Sequence, residues 1–332
     1  MLPHKVLITT SDYLPKYGGL TTYALNLEKA LKEIYSDVEL FHWKSIKELK
    51  AYKDHDKYDL IFNVHMMASY FGTWDEKKNI NFIHGSEILF YSPNVLKRLY
   101  KRLFQRHILK SLVSSRSNIF ISEFTMKKAQ SFGLNIDYSR DYIIHNCIDV
   151  DEGEFCYKSI GNRVSFSFFS RNVPHKNPSG VCELLKIFSK KYNDKEIVLH
   201  TNVEGIVSDS FMTKHYEKLS NEKREELYKI SHFNLLLSLD HSHRGFFEGF
   251  GLTCLEAGKY GVPSIVTSSG GLPENVHHRR NGYVLQSLDQ LDFDICENYR
   301  ELCEFTYKHT LNSHGLTYFK RFILSNFGEI RE

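Results

Sequence analysis

Short apolar runs alternate with amphipathic helical patterns along this chain, and the alternation occurs twice. Predicted strands of the first half lie at 5–10, 58–64, 81–84, 118–122 and 141–145, and its predicted helices at 20–35 and 94–113. After an interruption, predicted strands lie at 164–170, 197–201, 233–238 and 263–267, and predicted helices at 179–191, 222–231 and 252–260. Such alternation is typical of parallel sheets covered by helices, so we expect an α/β protein.

The interruption is a polar, irregular stretch at 149–163, which we interpret as a linker. It predicts two Rossmann-like domains, at 1–155 and 156–312. A last helix at 313–332 is aromatic on more than one face, and we expect it to cross back to the N-terminal domain. The 332 residues suffice for two domains of ordinary size.

Composition excludes several classes of protein. With 42% hydrophobic and 25% charged residues, the chain is globular, and no apolar run approaches the eighteen or so residues of a membrane span. The N-terminus enters a strand pattern at once, so we expect no signal peptide. The six cysteines form no Cys-x-x-Cys pair. Unpaired thiols favour a reducing compartment, and we expect the cytoplasm.

Basic residues are concentrated in the first half. Residues 1–150 contain 21 Lys and Arg against 16 Asp and Glu, and no acidic residue occurs between Ile88 and Ser122. The helix predicted there carries the cations Lys97, Arg98, Lys101, Arg102, Arg106 and Lys110. Its opposite face is predicted to carry Leu99, Tyr100, Leu103, Phe104 and Ile108. Basic amphipathic helices bind anionic membranes, and the same charges serve a DNA backbone. We therefore expect an anionic acceptor or surface.

The stretch EGFGLTCLEAGKYGVP begins at Glu248 and contains a second carboxylate at Glu256. It follows a predicted strand, and its glycines, Gly249 and Gly251, let a backbone approach a ligand. Free amides at a helix start bind anions, and phosphate is the obvious candidate. The carboxylates would repel a phosphate, so they must address neutral hydroxyls on either side of it. A diphosphate between a ribose and a hexose is a nucleotide sugar.

With the later EAGKYGVPSIV and SGGLPE segments, this block resembles glycosyltransferase family 4, the retaining enzymes of GT-B fold. Other segments agree with the resemblance: the glycine loop at Gly18 and Gly19, the NFIHGSE segment with His84, Arg171 followed by Lys176, and HNCID at 145–149. Ser170, Asn177 and Cys147 stand where the family has glycines. The resemblance implies a GT-B fold, in which two Rossmann-like domains face across a cleft.

The resemblance also implies residue roles. Catalysis would involve Glu248, Arg171, Lys176 and His84. Donor-binding residues would be Gly18, Gly19, Arg171, Lys176, Glu248, Gly249, Phe250, Gly251, Leu252, Thr253 and Glu256. The donor is expected to be a nucleotide-diphospho-sugar, with UDP as the expected nucleotide, and neither a cofactor nor a metal is expected. Two Asp-x-Asp segments, at Asp54 and Asp292, do not follow strands and are not predicted to bind metal.

The expected activity is retaining transfer of a hexose or pentose to an acceptor hydroxyl, on a bacterial surface glycan or lipid-linked saccharide. The protein would then be cytoplasmic or peripheral at the inner membrane face. One alternative is a phage-type transferase that modifies hydroxymethylated DNA in the host cytoplasm. Others are a nucleotide-sugar epimerase and a non-catalytic basic module, bound to membrane or DNA, with a vestigial site. The acceptor-binding role falls to the basic N-terminal domain.

Overall fold

The computed structural model describes residues 2–15, 18–89, 94–150, 155–288 and 293–328. The chain forms two compact units. The first comprises Met1–Asp149, Ser242–Gly249 and His314–Glu332, and the second comprises Val150–His241 and Phe250–Ser313. The short segment Ser242–Gly249 therefore belongs to the first unit, although the chain on both sides of it belongs to the second.

The first unit is built on a six-stranded sheet, sheet 1, in the order β2-β1-β3-β4-β5-β6 with all strand pairs parallel. Its strands are β1 (Leu2–Thr10), β2 (Tyr35–His42), β3 (Leu60–Asn63), β4 (Asn79–Ile83), β5 (Ser117–Phe120) and β6 (Tyr142–Ile143). Successive side chains of β1 enter different apolar clusters, Val6 and Ile8 on one face and Leu7 on the other. Sheet 1 is therefore covered on both faces, as parallel sheets are.

A row of buried amides crosses sheet 1. Thr9 donates to Asn63 Oδ1 at 2.8 Å, and Asn63 donates to Asn81 Oδ1 at 2.9 Å. Asn81 then donates to Asn118 Oδ1 at 3.1 Å, and Asn118 donates to the carboxylate of Asp141 at 3.0 Å. The strand register aligns these residues on one face. Because each buried amide finds a partner, the row fixes the register of four strands at low desolvation cost.

The second unit is built on sheet 2, a parallel sheet in the order β12-β11-β10-β7-β8-β9. Its strands are β7 (Arg163–Phe168), β8 (Glu196–Thr201), β9 (Met212–His215), β10 (Phe233–Leu236), β11 (Ser264–Thr267) and β12 (Gly282–Leu285). This is the Rossmann strand order. From β7 the strands are added in one direction to β9, and from β10 they are added in the opposite direction to β12, so the strand order reverses between β7 and β10. The predicted α/β class with two Rossmann-like parallel sheets is confirmed.

Helices cover both sheets. In the first unit they are α1 (Gly19–Ile34), α2 (Ile46–Ala51), α3 (Met67–Phe71), α4 (Val95–Ser114), α5 (Glu123–Ser131) and, after the second unit, α11 (Leu316–Phe327). In the second unit they are α6 (Pro178–Lys191), α7 (Asn221–Ile230), α8 (Leu252–Gly258), α9 (Leu272–Asn275) and α10 (Tyr299–His314). The last helix, α11, buries Leu316, Phe319 and Ile323 in the cluster that contains Leu27 and Leu31 of α1. None of the described helices combines the length and the apolar content of a membrane span.

Candidate functional site

The loop after β7 carries the two predicted phosphate-binding cations. Arg171 is exposed and Lys176 is half-buried. Between them, the carbonyl of His175 accepts a 2.8 Å hydrogen bond from the amide of Leu239, in the segment that follows β10. These two segments leave sheet 2 where its strand order reverses, and open parallel sheets bind ligands beyond that point. The sequence-predicted cations therefore lie at the carboxyl edge of sheet 2, where its strand order reverses.

Two positions of this loop depart from the glycines of the resembled family. Ser170 is held by Asn202, whose Oδ1 accepts from its amide and whose Nδ2 donates to its carbonyl, both at 3.0 Å. Asn177 adopts φ 56°, a left-handed conformation that asparagine tolerates, and its Oδ1 caps α6 by accepting from Gly180 at 3.1 Å. Both departures are thus accommodated by local hydrogen bonds of the loop itself.

Phe250 and Gly251 form the turn into α8. Gly251 has φ 89°, and a Cβ there would lie 2.7 Å from Leu272 Cδ2, so only glycine fits. Asn275 of α9 donates to the carbonyls of Phe250 and Gly251 at 3.2 and 3.1 Å. The glycine therefore makes room for the protein's own side chains, and the Phe250 ring is buried. The amides of Leu252 and Thr253 open the helix.

Thr253 offers a second polar group at the same helix start. Within the part of the chain that the structure describes, its Oγ1 is buried and has no hydrogen-bond partner. The same holds for Ser269 Oγ, in the segment that follows β11. Buried hydroxyls without partners are costly, and a bound ligand would satisfy them.

Glu256 lies one turn further along α8, with its side chain against α7. Its Oε1 is 3.5 Å from the Arg224 guanidinium, and its Oε2 accepts from the Tyr228 hydroxyl at 3.3 Å. Burial, and then the Glu256 carboxylate, raise the pKa of Tyr228 well above its ordinary value, so Tyr228 stays protonated and donates. A carboxylate has about four lone-pair directions, which leaves Glu256 capacity to accept from a ligand diol.

Glu248 and Gly249 lie in the first unit, with His84 at the end of β4. A Cβ at Gly249 would lie 2.3 Å from the His84 carbonyl oxygen and 2.8 Å from Ile121 Cδ1. Glycine at 249 is therefore required by contact with the protein, which is a different reason from the ligand approach expected from the sequence. The close backbone contact places half-buried Glu248 next to the end of β4.

His84 is enclosed by the first unit. Its ring packs edge-on against Tyr23 with centroids 4.5 Å apart, and its Nε2 is buried and unpartnered among the described residues. Burial lowers the pKa of His84 to about 4, against the opposing charge of Glu87. Glu87 accepts from the His84 amide at 2.5 Å. The ring is therefore neutral at physiological pH, able to donate or accept one hydrogen bond but not to carry charge.

The glycine loop before α1 is only partly described, because Tyr17 lies outside the described residues. Gly18 caps α1 with extended backbone, and a Cβ there would meet nothing within 4 Å. Gly18 and Gly19 are exposed. Among the described residues, neither φ nor packing requires glycine at 18.

The predicted surface cations lie on α4. Lys101, Arg102 and Arg106 are exposed and Arg98 is half-buried, while the Lys97 and Tyr100 side chains lie outside the described residues. The prediction that Leu99 and Leu103 lie on a face opposite the cations is wrong, because both are exposed among them. The helix packs instead through Ile108, Leu112 and half-buried Phe104.

Three residues that lie near the predicted site residues were not predicted from the sequence: His65, Arg224 and Asn275. His65 follows β3 as His84 follows β4, and burial lowers its pKa despite Glu87 and Asp12; the apolar run before it was an available signal. Arg224 and Asn275 left no such signal, because their partners are distant in sequence.

A family model described as "Glycosyl transferases group 1" matches residues 210–293. The match covers α8, Thr253, Glu256 and Asn275. It confirms the predicted glycosyltransferase class for this segment of the chain. A search of curated proteins by sequence finds no match.

Several solved structures share the fold. Anabaena HepE in complex with UDP and glucose has a TM-score of 0.69 at 14% identity, covering 98% of this chain and 100% of that one. Sucrose-phosphate synthase from Thermosynechococcus elongatus has a TM-score of 0.71 at 12% identity, covering 98% of each. The catalytic domain of Arabidopsis thaliana starch synthase IV, bound to ADP and acarbose, has 0.65 at 14%, covering 98% and 99%. At these identities the likeness establishes the fold alone.

Proposed function

We propose that the chain transfers a hexose or pentose from a nucleotide-diphospho-sugar to an acceptor hydroxyl, with retention at the anomeric carbon and without a metal. The carrying observation is the edge of sheet 2, where two cations and a helix start with an unpartnered buried hydroxyl follow the strands at which the order reverses. UDP is the proposed nucleotide, supported by the UDP complex of Anabaena HepE.

The charge of each side chain determines the role proposed for it in donor binding and transfer. Arg171, which can make a bidentate contact, and Lys176, a point charge, would neutralise the diphosphate as it departs. Donors aimed at developing negative charge stabilise a transition state by about 3–4 kcal/mol each. Glu256 would accept from the ribose diol. Glu248 would accept from a sugar hydroxyl, and neutral His84 would orient the sugar.

The proposed step balances without a further base. The bond between the anomeric carbon and the diphosphate oxygen breaks, and a bond between that carbon and the acceptor oxygen forms on the same side. The acceptor proton passes to the departing diphosphate oxygen. In this scheme the two cations do the work that a metal does in other transferases.

The proposal assigns acceptor binding to the basic N-terminal domain, 1–155, and donor binding to 156–312. As in the sequence analysis, we propose an acceptor on a bacterial surface glycan or lipid-linked saccharide. The donor-binding half can be tested without knowing the acceptor.

A thermal-shift panel of UDP, GDP, ADP and their sugars, with the full chain, tests donor binding. A concentration-dependent rise in Tm with one nucleoside diphosphate is expected, since a ligand that binds only the folded state stabilises it. The rise should persist in EDTA. No rise with any member of the panel, at concentrations that saturate related enzymes, would contradict the proposal. A rise that EDTA abolishes would contradict metal independence.

A further inference from the structure

The outward side of α4 carries three leucines that are largely in solvent. Leu96 is 77% exposed, Leu99 53% and Leu103 73%. Their spacing of three and four residues places them in one row along the helix. Single exposed leucines are ordinary, but a row of three marks an interaction surface.

The fold does not need these leucines. The helix is anchored on its other side, where Ile108 and Leu112 are buried and Ser111 shares hydrogen bonds with Ser69 of α3. The exposed leucines therefore contribute little to the stability of the first unit, and their apolar surface is available to a partner.

Cations flank the leucine row. Arg102, Arg106 and Lys110 are exposed and recur every four residues, which places them in a second row beside the first. We call the six residues Leu96, Leu99, Leu103, Arg102, Arg106 and Lys110 the outer face of α4. The sequence from Ile88 to Ser122 holds no acidic residue, so no charge within this stretch offsets the cations.

We propose that the outer face of α4 docks on the surface of an anionic lipid bilayer. A helix lying in the plane of a membrane buries its apolar row at the boundary of the acyl chains, while flanking Lys and Arg pair with headgroup phosphates. Both rows of the outer face then have partners at once.

A DNA backbone fits this face less well. It would pair with Arg102, Arg106 and Lys110, but it would leave Leu96, Leu99 and Leu103 against phosphates and sugars with no apolar surface to contact. The leucines thus favour lipid over nucleic acid, a choice that the charges alone do not make.

The inference favours an acceptor at a lipid surface over DNA, and in that respect it rests on the proposed function. Vesicle binding is nevertheless measured without any donor, and nucleotide binding without vesicles. Either proposal can therefore fail while the other stands.

The test is flotation of the full chain with vesicles, either pure phosphatidylcholine or equal parts of phosphatidylcholine and phosphatidylglycerol. Binding is expected only to the vesicles with phosphatidylglycerol. The triple variant L96S/L99S/L103S should weaken that binding at least about tenfold, because the apolar row is lost while charge is unchanged. Replacing Arg102, Arg106 and Lys110 by Gln should cost about fivefold for each cation.

Two matched controls lie in the second unit. V207S/I230S removes exposed apolar side chains, and K186Q/K190Q removes exposed cations of α6, and both should bind vesicles as the unaltered chain does. Unchanged Tm in each variant shows that folding is intact. The proposal is overturned if neither vesicle binds, or if the leucine variant binds as well as its control. Tight, salt-sensitive binding of duplex DNA that survives loss of the leucines, without vesicle binding, overturns it in favour of nucleic acid.

Discussion

The carboxyl edges of the two sheets differ in their chemistry. At the end of sheet 1, His65 and His84 are half-buried, and desolvation lowers the pKa of both imidazoles, so both rings are polar but neutral. At the end of sheet 2, the cationic side chains Arg171 and Lys176 lie on a loop held by hydrogen bonds. A diphosphate needs cations, whereas a sugar needs neutral hydrogen-bonding groups. Under the proposed function, affinity for the nucleotide and chemistry on the sugar are therefore expected to be separable by mutation.

The largest effect should come from sheet 2. Replacing Lys176 by Ala removes a cation from the departing diphosphate, so turnover should fall at least about a hundredfold and nucleoside diphosphate binding should weaken as well. Steady-state kinetics and calorimetry measure the two effects. Lys186→Ala, at an exposed lysine of α6, is the control. Unchanged diphosphate affinity in Lys176→Ala would contradict the proposal that the cations at the end of sheet 2 bind the diphosphate.

An effect of similar size on turnover, but not on nucleotide affinity, is expected at Glu248. Glu248→Gln weakens the acceptance of a sugar hydroxyl, so turnover should fall about a hundredfold while UDP binding stays within about twofold. Calorimetry with UDP, beside initial rates with the UDP-sugar, separates the two. The control is Glu204→Gln, at an exposed carboxylate of the second unit. Equal losses of turnover and UDP affinity would show that Glu248 and Lys176 do not differ in role.

The interior of the fold was predictable to a greater extent than its borders. Apolar runs predicted every central strand of both sheets, but β2, β9 and β12 were missed, and all three are sheet edges. Edge strands are covered on fewer sides, so their sequences carry less apolar signal. Most positions of β2 are half-buried or exposed, and β9 has no buried position. The helices α2, α3, α5, α9 and α10 were also missed. The amide row of sheet 1 escaped because single buried asparagines resemble turn residues in sequence.

The site residues that have motif context in the sequence, including Arg171, Lys176 and Glu256, stay predictions. The sequence could not predict what each glycine contacts. Gly249 and Gly251 face protein atoms, whereas Gly18 faces open space. Nor could it orient Leu99 and Leu103, because helical spacing tells which residues share a face but not which face is buried.

A substitution in the buried amide row tests how much that row contributes to the stability of sheet 1. Asn81→Ala leaves Asn118 Oδ1 without its donor and removes an acceptor from Asn63, so the free energy of unfolding should fall by about 2–3 kcal/mol. Urea denaturation measures it, with Asn193→Ala, at an exposed position, as control. A loss below about 0.5 kcal/mol would mean that water replaces the missing amide and that the row does not fix the register.

A smaller effect is expected where Arg224 holds Glu256. Arg224→Met keeps much of the side-chain volume but removes the ion pair, so the carboxylate loses its orientation toward a ribose diol. KM for the donor should rise about tenfold with little change in kcat, the pattern of a positioning residue. Arg300→Met, at an exposed arginine of α10, is the control. A fall in kcat with unchanged KM would instead place Arg224 in the chemical step.

The smallest effect concerns the neutral imidazole of His84 at the end of sheet 1. Burial holds the pKa of His84 at about 4, below the unfolded value, so acidification protonates the unfolded chain first and stability falls as the pH drops from about 6.5 toward 4. Between pH 7 and pH 5.5 the His84 contribution should amount to about 1 kcal/mol. His84→Asn removes it, so urea midpoints of the variant should depend less on pH. His200, whose pKa burial and nearby cations also lower to about 4, provides the matching variant in sheet 2, and exposed His107→Asn provides the control. If His84→Asn keeps the full pH dependence while His200→Asn loses part of it, the His84 ring is not desolvated as the structure indicates. The contrast between neutral imidazoles at sheet 1 and cations at sheet 2 then fails.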